Sequence, residues 1–189
     1  MTAEEVWIAR HGETDWSAAG RHTGRTDLEL NANGRAAAAT LGELLAGERF
    51  ELVLTSPLAR ARETCELAGY GDAAEAEPDL REWDYGDYEG ITTAEIRRTR
   101  PGWTTFSDDF PNGETLAEVS NRLDRVITRI RQVDGRVLVF GHGHALRILA
   151  ARWIDAEPAL GANLVLATAT LSILGWERET PAIRRWNST

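Results

Sequence analysis

The chain has 189 residues, of which 42% are hydrophobic and 27% charged, with a net charge of −9 and a pI near 5.0. That length suits one well-buried domain, 1–189, and the composition excludes disordered and repeat architectures. The acidic balance opposes broad nucleic-acid binding and leaves room only for a focused site for a small anion.

Residues 1–5 include Glu4 and Glu5, with neither a basic start nor an apolar leader, and no run is long enough to span a membrane. A cytoplasmic protein with no membrane partner is expected. Cys65 is the only cysteine, so no intramolecular disulfide forms; placed in a helix, it reads as a buried structural thiol.

In chain order, Val6-Trp7-Ile8-Ala9 reads as a buried strand, which puts Arg10 and His11 at its carboxyl end, where open α/β sheets hold ligands. Asn31 caps a helix running to about Leu45, with Leu41, Leu44 and Leu45 on its apolar side and Gly47 near its end. Leu52 to Thr55 is a short buried strand. Ser56 then reads as a cap and Pro57 as the first residue of a helix towards Ala68, with Arg60 in its first turn and Arg62 directed elsewhere, into a structural salt bridge. Leu116, Val119, Leu123, Val126, Ile127 and Ile130 mark one face of a helix, with Glu118, Arg122, Arg125 and Arg129 on its other faces. Arg136 to Phe140 is a strand ending at Gly141-His142-Gly143, followed by a helix from Ala145 to Trp153, and the segments Leu164–Leu166, Leu171–Trp176 and Ile183–Trp186 add strands. The alternation predicts an α/β fold: a mainly parallel central sheet with helices on both faces and right-handed crossovers.

Three strand-end loops carry complementary chemistry. Arg10-His11-Gly12-Glu13 pairs a nucleophile with a fixed guanidinium, Ser56-Pro57-Leu58-Ala59-Arg60-Ala61 adds a second arginine, and Gly141-His142-Gly143 a second imidazole. With Leu80-Arg81-Glu82 as the acid segment, these ordered motifs resemble the histidine phosphatase superfamily, the phosphoglycerate-mutase-like fold group, over nearly the whole chain. The resemblance implies that His11 is transiently phosphorylated, that Arg10, Arg60 and His142 surround the phosphate, and that Glu82 handles protons. It implies no cofactor and no metal.

Those roles make physical sense. His11 must be neutral at its attacking nitrogen, with its other ring nitrogen donating to a carbonyl. Arg10, Arg60 and a protonated or hydrogen-donating His142 stabilise charge on the transferring phosphoryl group. Glu82 protonates the departing alkoxide and then takes a proton from the attacking water, which demands a protonated carboxyl before transfer.

Thr23 and Gly24 align with a loop that contacts the substrate phosphate in related mutases and phosphatases, and Gly143 joins them as a substrate-binding position. Ser17 stands where many members carry asparagine; its hydroxyl can donate to phosphate but lacks an amide's second polar end. His22 and His144 either touch substrate or sit behind it. Trp83, Tyr85 and Tyr88 shape a leaving-group pocket or, more simply, pack beneath a loop, and Trp103 and Phe106 precede the long helix as packing or as a lid.

The principal reading is hydrolysis of a small phosphorylated metabolite, in the phosphatase branch. Phosphoglycerate-type mutase chemistry is the alternative; residues Thr92–Glu114 carry only Arg97, Arg98 and Arg100 as basic groups, without a long basic insertion to retain an exchanged intermediate. A zinc hydrolase using His11, His142 and His144 is opposed by the neighbouring arginines, and a phosphoprotein-binding module would use the same site without turnover. The tryptophans and apolar C-terminal segments suit core strands or a homodimer interface.

Overall fold

The computed structural model describes residues 3–189, so residues 1 and 2 of the expected 1–189 domain lie outside the described residues. The elements are β1 (Glu5–Arg10), α1 (Asp15–Ala18), α2 (Ala32–Leu44), β2 (Leu52–Thr55), α3 (Ala59–Leu67), β3 (Ala74–Ala76), α4 (Thr93–Thr99), α5 (Leu116–Ile130), β4 (Arg136–Gly141), α6 (Gly143–Trp153), β5 (Leu171–Glu177) and β6 (Thr180–Ser188). The sheet order is β3-β2-β4-β1-β5-β6; the first four strands are mutually parallel, β5 runs antiparallel to β1, and β6 antiparallel to β5.

β1 shows why two helical layers form. Val6 and Ile8 point to one face, where they join residues of α5 and α6, and Trp7 and Ala9 point to the other, where they meet Leu41, Leu45 and Cys65 from the α2 and α3 side. Period-2 alternation thus gives the strand two apolar faces, as a parallel sheet covered on both sides requires. α5 closes the first layer. Thr115 and Glu118 form a reciprocal cap, and Val119, Leu123, Val126 and Ile130 are buried to 1% exposure or less. Truncating Leu123 to alanine in such packing costs about 2–5 kcal/mol.

Several expectations need correction. α3 begins at Ala59, not Pro57; Leu58 is its cap residue, and the Ala59 N–H is met by Asp27 at 2.7 Å, which frees Ser56 from capping. Leu44 is 46% exposed, because the helix turns it away from the seam that Leu41 and Leu45 fill. α6 starts at Gly143, two residues before the expected Ala145. Leu164–Leu166 is not a strand but follows a 3-10 turn, with the Leu166 carbonyl accepting from Arg10. Arg62 is exposed and pairs with no described carboxylate, whereas Arg122, expected on a solvated face, is buried. β3 was not foreseen. No helix among the described residues is long and apolar enough to cross a membrane.

Candidate active site

Register brings the three candidate loops together. Arg10 of β1 lies opposite Gly141 of β4, and Thr55 of β2 opposite Phe140, so the residues that follow (His11, Ser56 and His142) leave the sheet side by side at its carboxyl edge. The chain then runs from β1 to α2 on one face and from β4 to α6 on the other. Such a divergence of connections opens a crevice at the strand ends. The ring centroids of His11 and His142 are 5.2 Å apart.

His11 is 4% exposed, and its Nδ1 lies 2.7 Å from the Gly12 carbonyl. A carbonyl only accepts, so Nδ1 carries the proton and Nε2 holds a free lone pair. Burial, then Arg60 and Arg10, hold the imidazole well below its ordinary pKa of 6.5. It is therefore neutral near pH 7, as a nucleophile must be.

Arg60 enters from the first turn of α3 and is fully buried. Its Nη2 donates to the carbonyls of Thr23 (3.0 Å) and Gly24 (2.9 Å), Nη1 to that of Thr26 (3.0 Å), and Nε to His142 Nδ1 (3.1 Å). One Nη1 hydrogen remains unassigned. Because arginine only donates, His142 Nδ1 is the acceptor, and its Nε2–H donates to Ser56 Oγ at 2.7 Å. Burial and Arg60 push the His142 pKa well below 6.5. The expected protonated His142, or one donating to the phosphate, is thus corrected: the ring is neutral and its N–H is held by Ser56.

Arg10 differs. Its Nη1 donates to the Leu166 carbonyl, but its buried Nε has no hydrogen-bond partner. A Cβ at Gly143 would lie 3.3 Å from Arg10 Nε and Cζ, so glycine leaves the guanidinium room at the cavity wall. An unpartnered buried guanidinium N–H is a donor waiting for an anion.

Glu82 is 6% exposed, and both its oxygens accept backbone N–H bonds: Oε1 from Trp83 and Ala145 (2.9 Å each) and Oε2 from His144 (3.0 Å). Two of those donors belong to the first turn of α6, so the helix N-terminus holds the carboxylate in place. Oε2 keeps one lone pair free. Behind Glu82, Arg122 donates to the carbonyls of Asp79, Arg81 and Glu82 and pairs with Glu114 at 2.9 Å, fixing the loop.

Arg10, His11, Glu82 and Gly143 line a cavity of about 190 Å³, whereas Arg60 and His142, expected to surround the phosphate, are not on its wall. Thr23 lines it, with its hydroxyl on the Arg21 carbonyl and its own carbonyl holding Arg60. Ser17 also lines it, but its hydroxyl donates to the Thr14 carbonyl (3.0 Å) within a capping box, so the donation to phosphate expected of it is already committed. Gly24 does not line the cavity: its N–H goes to Glu89 (2.8 Å) and its carbonyl to Arg60, making it a strut.

Sequence reasoning missed Arg21 and Arg147 on this wall, whereas Tyr85, one of the aromatics read as shaping a leaving-group pocket or packing beneath a loop, does line it. A signal for Arg147 existed, since it follows His144 by three on α6 and so shares its face. Tyr85 Oη and His144 Nδ1 share a hydrogen bond at 2.5 Å, and burial lifts the phenol well above its ordinary pKa and depresses the imidazole, so both partners are uncharged. His22 packs against Tyr85, Trp103 and Phe110, and both it and His144 line the cavity. Among the described residues, no group of three or more His, Cys, Asp and Glu side chains is placed to hold a metal ion, and both ring nitrogens of His142 are already engaged.

The family model for the histidine phosphatase superfamily (branch 1) matches residues 6–189. The chain is 39% identical over 174 residues to an acid phosphatase of Mycobacterium tuberculosis, covering 90% of this chain and 85% of that protein. It is 39% identical over 178 residues to a sedoheptulose 1,7-bisphosphatase of Saccharomyces cerevisiae, covering 77% and 66%. The solved structure of open reading frame Rv3214 from Mycobacterium tuberculosis superposes with a TM-score of 0.91 at 35% identity, covering 98% of each chain.

Proposed function

The chain belongs to the histidine phosphatase superfamily and is a phosphoric monoester hydrolase, and from that premise we propose that it releases phosphate from small metabolite monoesters through a phosphohistidine at His11, without a metal ion. The observation that carries this reading is the His11 tautomer. Nδ1 is locked on the Gly12 carbonyl, which leaves Nε2 as a neutral nucleophile in a cavity walled by arginine.

In the first step His11 Nε2 bonds to phosphorus as the ester P–O bond breaks. Arg10, through its unpartnered Nε–H, and Arg60, through its field and its remaining Nη1 hydrogen, offset the charge on the equatorial oxygens. His142 stays neutral and holds Arg60 and Ser56 in register. Glu82 passes a proton from Oε2 to the departing alkoxide, then takes one from the water that opens the P–N bond. Hydrolysis is favoured over return of the phosphate to the alcohol because the basic groups of the 92–114 segment are few and Arg100 is already paired with Asp109 at 2.7 Å.

The test is phosphate release from para-nitrophenyl phosphate in excess chelator by the wild type and His11→Ala, with acid-labile phosphoenzyme trapped by rapid quenching. Turnover and trapped phosphohistidine in the wild type alone support the reading. A folded His11→Ala protein that keeps the wild-type rate would overturn it.

A further inference from the structure

Residues 20–23 form part of the cavity wall, and the strap they belong to, 20–26, is held from two sides. On one side it pairs with the 90–92 segment: Arg21 bridges antiparallel to Thr92, the His22 N–H donates to the Ile91 carbonyl (3.0 Å), and the Gly90 N–H donates to that of His22 (2.8 Å). The backbone pairing stops there. The next donors of the strap, the N–H groups of Gly24 and Thr26, both go to a single side-chain oxygen, Glu89 Oε1, at 2.8 and 3.0 Å. On the other side the carbonyls of Thr23, Gly24 and Thr26 all accept from Arg60.

The Thr23 carbonyl and the Gly24 N–H belong to one peptide unit. That unit stands between two opposite charges, giving its N–H to the Glu89 carboxylate and taking the Arg60 Nη2 hydrogen at its oxygen. Hydrogen bonds in series polarise one another, so the peptide transmits the carboxylate's pull to the guanidinium. Arg60 depends on such an arrangement: it is fully buried, and its acceptors are three strap carbonyls and His142, with no carboxylate among them.

Glu89 does not line the cavity, and its Oε2 is buried without a partner, a destabilising feature for which the fold alone gives no reason. Its footing is firm. The Glu89 N–H donates to the Gly86 carbonyl (3.1 Å), the Asp87 N–H to that of Pro111 (2.9 Å), and Thr92 opens α4 with a capping box. The same stretch of chain begins with Glu82.

We infer that Glu89 is a positioning residue of this site: from the segment that carries Glu82 it holds the strap by two amides and, through the Thr23–Gly24 peptide, fixes the guanidinium of Arg60 behind the phosphoryl group. The inference rests on the phosphohistidine reading and adds the group that keeps acid and arginine in register.

The experiment measures kcat and KM on para-nitrophenyl phosphate, and the dissociation constant of orthovanadate as a mimic of the five-coordinate transferring phosphorus. The proteins are the wild type, Glu89→Ala and Glu89→Gln, each alone and combined with Arg60→Lys. Glu89→Ala should lower kcat and vanadate affinity together by about tenfold, the worth of one charge-assisted hydrogen bond, with KM little changed. Glu89→Gln keeps an acceptor for the two amides and should restore part of the loss. Beside Arg60→Lys, Glu89→Ala should cost no more than about a further twofold, because residues that act through one another do not add. Glu89→Leu, which keeps the bulk, is read in the same way if the alanine variant does not fold. Wild-type kcat and vanadate affinity in a folded Glu89→Ala protein whose melting temperature alone falls would make Glu89 a brace of the fold and overturn the inference. So would a glutamine variant as impaired as the alanine one, or a loss undiminished beside Arg60→Lys. Each of these leaves the phosphatase reading standing as long as the wild type shows His11-dependent release. Absence of that release in the wild type overturns both.

Discussion

Arg60 Nε donates to His142 Nδ1 at 3.1 Å, and both side chains are fully buried. The bond decides the state of the second imidazole. A guanidinium cannot accept, so His142 is neutral, its proton sits on Nε2, and Ser56 Oγ must receive it. Arg60, His142 and Ser56 form one relay behind the position of the phosphoryl group, and the relay dictates how each member answers to substitution.

Ser56→Ala leaves the buried Nε2–H of His142 without an acceptor. The expected loss of stability is about 1–3 kcal/mol, the cost of an unsatisfied buried donor. kcat should fall with it, because the ring that orients Arg60 loses one of its two anchors. Urea unfolding paired with kcat on para-nitrophenyl phosphate checks this, and a variant with wild-type midpoint and wild-type kcat would exclude the relay.

Acid should weaken the fold through its histidines. His11, His142 and His144 are all held well below 6.5, and His22 is lowered, each chiefly by burial. Below about pH 6.5 the unfolded chain binds protons at these sites while the folded chain does not, so stability is full above that value and declines as pH falls towards the depressed folded values. Each histidine contributes a slope of about 1.4 kcal/mol per pH unit within its window. Denaturant midpoints should drop steadily from neutral pH into the acid range, while kcat/KM keeps its neutral His11 well below pH 6.5. A flat stability profile there would show that the rings are not neutralised by burial.

The unpartnered Arg10 Nε–H predicts stabilisation by an anion alone. Orthovanadate or phosphate at a hundred times its dissociation constant should raise the unfolding free energy by about 2.7 kcal/mol. Arg10→Gln should abolish most of the thermal shift. An equal shift in that variant would place the anion elsewhere.

Arg122 marks the limit of a helical wheel. Its position on α5 looks solvated from spacing alone, yet the loop 79–82 folds across that face and offers three carbonyls to it. The same holds elsewhere. The strands β1, β2, β4 and β5 and the helices α2 and α5 were legible because apolar period and capping residues are local properties, and the nucleophile and arginine loops were legible because each follows such a strand. β3 escaped because Ala74-Glu75-Ala76 has no apolar pattern and is held only by pairing with β2. The direction of the His142 N–H depends on Arg60 and Ser56, side chains brought from a distant segment, which no window of sequence around His142 contains. Arg122→Ala should therefore cost about 2–4 kcal/mol, by leaving buried carbonyls and the Glu114 carboxylate unpaired, and should lower kcat by loosening Glu82. A loss below about 0.5 kcal/mol, the ordinary level for a surface site, would return Arg122 to the solvated face.

Gly34 offers a test in which two physical effects oppose each other. It lies in the first turn of α2, where alanine would ordinarily stabilise the helix by about 1 kcal/mol. A Cβ there, however, would lie 2.1 Å from the Glu13 carbonyl oxygen and 2.6 Å from its nitrogen, and a Cβ at Gly12 would meet the Gly34 oxygen at 2.4 Å. These are backbone atoms of the loop that carries His11, and Asn31 ties the same loop to the helix through the Glu13 carbonyl at 3.0 Å and its carboxylate at 2.9 Å. No side chain can swing aside to relieve the overlap, so the loop must move. Gly34→Ala should lower the melting temperature in spite of its better helix propensity, and should reduce kcat, because the displacement moves the loop that carries His11, the nucleophile of the proposed mechanism. A variant that melts higher than the wild type with kcat intact would mean that the α2 to His11 approach is looser than these distances require.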